Sequence, residues 1–144
     1  LDLHGERVAG YAAADALCMA LQVINHLQDC QDDYRKLDRV YLPGDWMAEH
    51  GAAVEEFDLQ ASRPGLRMVI DRTLDGVSEL LAGAEALPPA LRSRRLATES
   101  SAILRIAHRL RVLLRRRDPL AGRVQLNRAG YLWCCVRGAI AAVF

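Results

Sequence analysis

The sequence predicts an all-α fold. Apolar residues recur at three- and four-residue intervals in long runs, and no segment alternates apolar and polar residues over the length of a strand. The 10 Gly and 5 Pro are too few to punctuate a many-stranded sandwich or barrel, and the prolines fall between the helix-periodic runs. With 144 residues, 51% hydrophobic and 26% charged, the chain has one globular domain's worth of material, which excludes disordered, collagen-like and low-complexity classes. Aromatics are scarce at 6%, while Leu, Ala and Arg are abundant, which again favours helix.

The elements follow in order. A long first helix is expected from about His4 to Arg35. Tyr41-Leu42-Pro43 interrupts the pattern, and a short helix over Asp45–His50 follows, stopped by Gly51. Pro64 opens a third helix reaching about Ala86, because Pro lacks only an amide that a first helical turn leaves unpaired anyway. Its apolar stripe is Leu66, Val69, Ile70, Leu74, Val77, Leu80 and Leu81. A fourth helix runs from about Pro89 to Arg117, where Asp118-Pro119 ends it, with Ile103, Ile106, Ala107, Leu110, Leu113 and Leu114 facing the core. A last apolar helix covers about Asn127 to Phe144.

The charge is uneven although the net is only +1. Residues 1–72 hold 13 acids and 7 bases, a net of −6, and residues 73–144 hold 5 acids and 12 bases, a net of +7. Such asymmetry points to two facing surfaces, or to a charged ligand between them. The run Arg92, Arg94, Arg95, Arg105, Arg109, Arg111 and Arg115–Arg117 lacks interleaved aromatics or a groove-reading motif, so it reads as a solvated helix face and no nucleic-acid partner is expected. Cys18, Cys30, Cys134 and Cys135 have no zinc-type spacing and read as reduced thiols. No leader pattern and no membrane-length apolar stretch occurs, which gives a cytoplasmic expectation. His26 and His108 have no adjacent nucleophile and read as structural. The apolar segment 128–144 is expected to close the bundle or, as a second reading, to rest on the inner membrane surface.

The first helix carries the chemistry. With Gln22 at zero and about 100° per residue, Asn25 lies near −60°, Asp29 near −20° and Asp33 near +20°, with Asp32 at the edge near −80°. Leu17, Ala20, Ile24 and Leu27 occupy the opposite side. A solvated face normally mixes charges, yet residues 8–34 contain no Lys or Arg, and Asp29 and Asp33 are like charges one turn apart. Hard oxygen donors at this spacing suit Mg²⁺, which binds through one or two carboxylates plus substrate phosphates. On pattern alone, a metal site and a bare polar surface remain equally good readings.

The compound motif Gln22-x-x-Asn25-x-x-x-Asp29-x-x-Asp32-Asp33, followed by Arg39-Val-Tyr41-Leu-Pro43, resembles the second aspartate-rich region of the squalene/phytoene synthase family. There the pattern is Q-x-x-N-x-x-x-D-x-x-E-D, then R-[IV]-Y-L-P; Asp32 stands where Glu is usual. The likeness continues through Leu87-Pro-Pro-x-Leu91-x-Ser-Arg-Arg-Leu96-Ala-x-Glu99-Ser and Arg117-Asp-Pro-Leu-Ala-x-Arg123-Val124. Within the family, the wording is most similar to the bacterial hydroxysqualene synthase subgroup of the hopanoid pathway.

The resemblance implies the C-terminal half of a class I isoprenoid synthase helical bundle, spanning 1–144 as part of one domain. It implies an apolar cavity and Mg²⁺ held on a prenyl diphosphate between two aspartate-rich helices. Asn25, Asp29 and Asp33 match metal-binding positions, with Asp32 beside them. Gln22 matches a position lining the cavity next to the reacting carbons. Arg39 and Tyr41 match the R-x-Y-L-P element, and Arg123 matches a late Arg that meets diphosphate. A Tyr expected on the preceding helix is absent, Ile106-Ala107 standing there.

The implied reaction is Mg²⁺-dependent ionisation of presqualene diphosphate with capture by water to give hydroxysqualene. One alternative is a head-to-head prenyltransferase condensing two farnesyl or similar prenyl diphosphates. Another is a truncated, non-catalytic helical or membrane-surface module. The first aspartate-rich region is not found: Asp71-x-x-x-Asp75 has the spacing but reads as ordinary helix surface. The chain starts with Leu1, so that region is expected upstream, and residues 1–144 alone are expected to be inert and to expose apolar surface.

Overall fold

The computed structural model describes Gly5 and residues 8–141. Among them there are helices and no strand: α1 (Tyr11–Leu37), α2 (Gly44–Glu49), α3 (Pro64–Ala84), α4 (Leu87–Ala90), α5 (Arg94–Arg116) and α6 (Arg128–Ala141), with 3₁₀ turns at Val8–Gly10 and Val54–Asp58. The all-α expectation holds.

The core is a three-helix packing of α1, α3 and α5. From α1 it takes Ala13, Leu17, Ala20, Ile24, Leu27 and Cys30, a one-sided stripe at helical spacing. From α3 it takes Leu66, Val69, Ile70, Leu74, Val77, Leu81 and Ala84. α6 lies on α5, with Cys134 buried between them.

Two helix boundaries differ from the sequence expectation. The first helix starts at Tyr11, not near His4; Gly5 adopts a left-handed φ of 62° and Val8–Gly10 forms a 3₁₀ turn. His4 itself lies outside the described residues, as do residues 142–144 at the far end. The run expected as one helix from Pro89 to Arg117 is two, because Leu91 is extended at ψ 138° and Ser93 caps α5 by accepting a hydrogen bond from the Leu96 amide. A Ser side chain satisfies one of the amide donors that a new helix start leaves free, which favours the break.

The core line of α5 is also displaced by one residue. Leu104, Ala107, Leu110 and Leu114 are buried, whereas Ile103 is 39% exposed. Ile106 and Leu113 are partly buried. The arginines of this helix are not uniformly a solvated face. The Arg111 Nη1 donates to Ser78 Oγ at 2.6 Å, and Arg115 pairs with Asp75 and Asp71, so both tie α5 to α3. The same contacts explain Asp71 and Asp75 as structural acids.

The segment between α5 and α6 is held firmly although it has no helix. Leu120, Val124 and Leu126 are buried in it. Asp118 accepts from the Ser62 amide at 2.6 Å, the Ser62 hydroxyl at 2.7 Å and the Leu120 amide at 3.0 Å. Arg67 closes the end of α5 by donating to the carbonyls of Leu114 at 3.0 Å and Arg117 at 3.3 Å. Those last-turn carbonyls have no partner within their own helix.

Candidate active site

Burial of the Leu17–Ala20–Ile24–Leu27 stripe turns the opposite side of α1 outward, which fixes where the amides and carboxylates go. Gln22, Asn25 and Asp32 are exposed, and Asp29 and Asp33 are half-buried. Asn25, Asp29 and Asp33 rise along one side of the helix in steps of about 6 Å. Asp32 stands apart from them: its carboxylate takes the Lys36 ammonium at 3.0 Å, one turn on.

The tertiary structure adds Arg123. Its Nη2 lies 3.8 Å from Asp29 Oδ1, although 94 positions separate them. The approach is set by the neighbouring residues: Val124 is buried, and its carbonyl accepts a hydrogen bond from Gln28 Nε2. A guanidinium is thereby presented at the acid face while remaining 71% exposed and free to turn toward an anion.

The Arg39-Val-Tyr41-Leu-Pro43 segment follows the C-terminus of α1, where Asp38 takes a left-handed φ of 52° and the Arg39 amide donates back to the Asp33 carbonyl at 3.3 Å. This turn brings Tyr41 back along α1, and its ring stacks on His26 at 3.7 Å between centroids. His26 is thus a packing partner of Tyr41, consistent with its structural reading. Arg39 is exposed beside them.

An apolar cavity of about 380 Å³ lies on this flank, between α1, the Val40–Pro43 turn, α2 and α3. Val23, His26, Leu27 and Cys30 form its α1 wall, and Trp46, Phe57, Val77 and Leu80 close the other sides. The cavity borders the acid face at His26 and Tyr41 and does not lie beneath it. Gln22 does not line it. Sequence reasoning did not foresee the His26–Tyr41 stack, nor Gln31, whose Nε2 donates to the carbonyls of Phe57 at 2.9 Å and Leu59 at 2.7 Å and secures that wall. Both depend on how the segment 38–59 folds back, which carries no periodic signal.

Among the described residues, no group of three or more His, Cys, Asp and Glu is close enough to enclose a metal ion. The donors that are present, the Asn25 amide oxygen and the Asp29 and Asp33 carboxylates, are hard oxygens on an open face. That set fits Mg²⁺ as part of a shell completed by water and phosphate oxygens, not as a closed cage.

Residues 1–130 match the family model described as squalene/phytoene synthase. The chain belongs to the squalene/phytoene synthase family. A hydroxysqualene synthase from Rhodopseudomonas palustris is 44% identical over 127 residues, covering 88% of this chain and 44% of the relative. One from Zymomonas mobilis is 39% identical over 145 residues, covering 100% of this chain and 48% of the relative. A 15-cis-phytoene synthase from a Paracoccus species is 36% identical over 115 residues, covering 77% of this chain and 35% of the relative. The chain therefore spans less than half the length of these relatives. No solved structure matches it significantly.

Membership of the squalene/phytoene synthase family gives the acid face its context. The residues singled out on α1 are the ones it turns outward, and Arg123 reaches that same face at Asp29.

Proposed function

We propose that this chain is the part of an isoprenoid synthase that grips the diphosphate of a prenyl diphosphate. The reaction we assign is loss of diphosphate from presqualene diphosphate and capture of the resulting cation by one water, giving hydroxysqualene. The observation that carries the reading is the meeting of Arg123 with Asp29 on the face that also holds Asn25 and Asp33.

Asn25, Asp29 and Asp33 would hold Mg²⁺, which when bound supplies a Lewis acid that neutralises the departing diphosphate. Arg123 and Arg39 offer planar, bidentate donors to the same oxygens. Gln22 or Asn25, three residues apart on this face, would orient the water that ends the reaction. The hydroxysqualene synthases among the relatives support this choice of product. A head-to-head condensation of two prenyl diphosphates is the second reading, supported by the phytoene synthase relatives. The carbon chemistry requires more walls than the described residues provide, since among them there is a single acid face.

Calorimetric titration with inorganic pyrophosphate in the presence of Mg²⁺ tests the grip directly. Binding is expected with Mg²⁺ and lost in excess chelator. Asp29→Asn and Asp33→Asn should each weaken it by about tenfold or more, the scale on which disturbed metal sites lose affinity. Chelator-insensitive binding, or affinity untouched by both substitutions, overturns the assignment. In a complete synthase carrying this segment, Gln22→Leu should divert product from the alcohol to hydrocarbons; an unchanged product profile refutes the role given to Gln22.

A further inference from the structure

α6 meets α5 at two small residues: a Cβ on Gly138 would come within 2.6 Å of the Ala102 backbone. That close seat draws the longer side chains beside it together. Arg105 and Arg109 of α5 and Arg137 of α6 line one cavity of about 400 Å³, joined by His108, Trp133 and, from just beyond α3, Glu85. The three arginines lack counter-charges. Among the described residues none of them has a carboxylate within ion-pair distance. α6 carries no acid, and Glu99, the one acid in α5, is taken by Arg95 at 2.9 Å. The Arg105 Nε is moreover buried without a hydrogen-bond partner among the described residues. A guanidinium nitrogen left unpaired away from water costs free energy that a bound anion would recover.

We propose that this groove binds a nucleoside diphosphate or triphosphate whose base carries an exocyclic amine. Guanidiniums take phosphate oxygens in pairs, and three of them around one cavity provide for more than one phosphate. Two further features select a nucleotide over a bare polyanion. Trp133 is 59% exposed at the groove, so its ring is open to stack on a base. The Arg137 guanidinium lies 5.9 Å from that ring's centroid and joins the stacking surface to the phosphate site. Glu85 lies 3.4 Å from His108 Nε2 with its side chain 67% exposed. Its carboxylate repels an all-oxygen anion but accepts a hydrogen bond from the amine of a base such as adenine. The cavity has the size of a small-molecule site. None of these residues belongs to the acid face of α1, so the inference does not depend on the diphosphate assignment.

The test is titration of the full chain with ADP in excess EDTA, which keeps Mg²⁺ from the acid face. In a Trp46→Phe background Trp133 is the one tryptophan left, and saturable quenching of its emission is expected as the base stacks. Adenosine alone and pyrophosphate alone should each bind at least about tenfold more weakly, since each lacks half of the contacts. Arg105→Gln and Arg109→Gln should each weaken ADP binding by about tenfold, the scale of a lost charge-assisted hydrogen bond, with helical circular dichroism unchanged. By calorimetry, Trp133→Ala should weaken it by about tenfold and Trp133→Phe should restore most of the loss, which a merely structural role for the ring would not require. The inference fails if ADP leaves Trp133 emission unmoved, or if the folded arginine variants bind as the parent does. It also fails if pyrophosphate in EDTA binds as tightly as ADP, or if a single-stranded oligonucleotide binds far more tightly than ADP.

Discussion

Cys30 shows how far one residue's behaviour is set by its place in the fold. Its thiol is pushed from 9.0 up to about 12, chiefly because burial disfavours the thiolate, with the Asp118 and Asp29 carboxylates adding to the effect. Between those two values the unfolded chain releases the proton more readily than the folded one. Cys30 thus favours folding fully below about pH 9 and progressively less above it, by about 1.4 kcal/mol per pH unit. Urea denaturation of the chain should lose stability more steeply from pH 9 to 11 than the Cys30→Ala variant does; parallel slopes count against this. The same burial pattern predicts thiol chemistry. Cys18 and Cys135 are exposed while Cys30 and Cys134 are buried, so a thiol reagent should label two sites quickly in the folded chain and all four in denaturant.

At the scale of an element, backbone approach decides what periodicity does not. A Cβ on Gly65 in the first turn of α3 would stand 2.3 Å from the His50 carbonyl oxygen, which has backbone on both sides and little room to yield. Gly65→Ala should cost about 1–3 kcal/mol, as overpacking does. Gly76, in the same helix, has open space around its Cβ position, so Gly76→Ala should stabilise by roughly 0.5–1 kcal/mol. Thermal or denaturant melts of the pair check both signs; equal effects would refute the account. Arg67→Ala is expected to cost about 1–3 kcal/mol, because it strips the final carbonyls of α5 of their donor. None of these contacts leaves a mark in the order of residues, whereas the third helix announced its buried stripe except for Ala84, with Leu80 less than fully buried.

Over the whole molecule, the acid face opens to solvent and the exposed apolar surface is considerable, with Met19 54% and Leu37 53% exposed in addition to Leu132, Trp133 and Val136 on α6. A carbocation reaction needs a closed apolar chamber to keep water out. The chain by itself is accordingly expected to show no turnover of presqualene diphosphate or farnesyl diphosphate; measurable product from residues 1–144 would show that the described cavity suffices. The acid face itself was legible because a helix converts spacing into direction: Gln22, Asn25, Asp29 and Asp33 share a side wherever α1 is placed. Arg123 was legible only as a motif position, since nothing local says which face it will meet.

Helix content, the buried sides of α1 and α3 and the alignment of the amides and carboxylates were determined by the sequence alone, because each follows from a period of 3.6 residues acting within one segment. The tertiary structure alone decided that Arg123 reaches Asp29, that Tyr41 folds onto His26 beside an apolar cavity, that Ser93 divides a helix, and that Leu104 displaces Ile103 from the core. Those outcomes depend on loops and on competition between neighbours for the same space, and energies of that kind are shared among residues far apart in the chain.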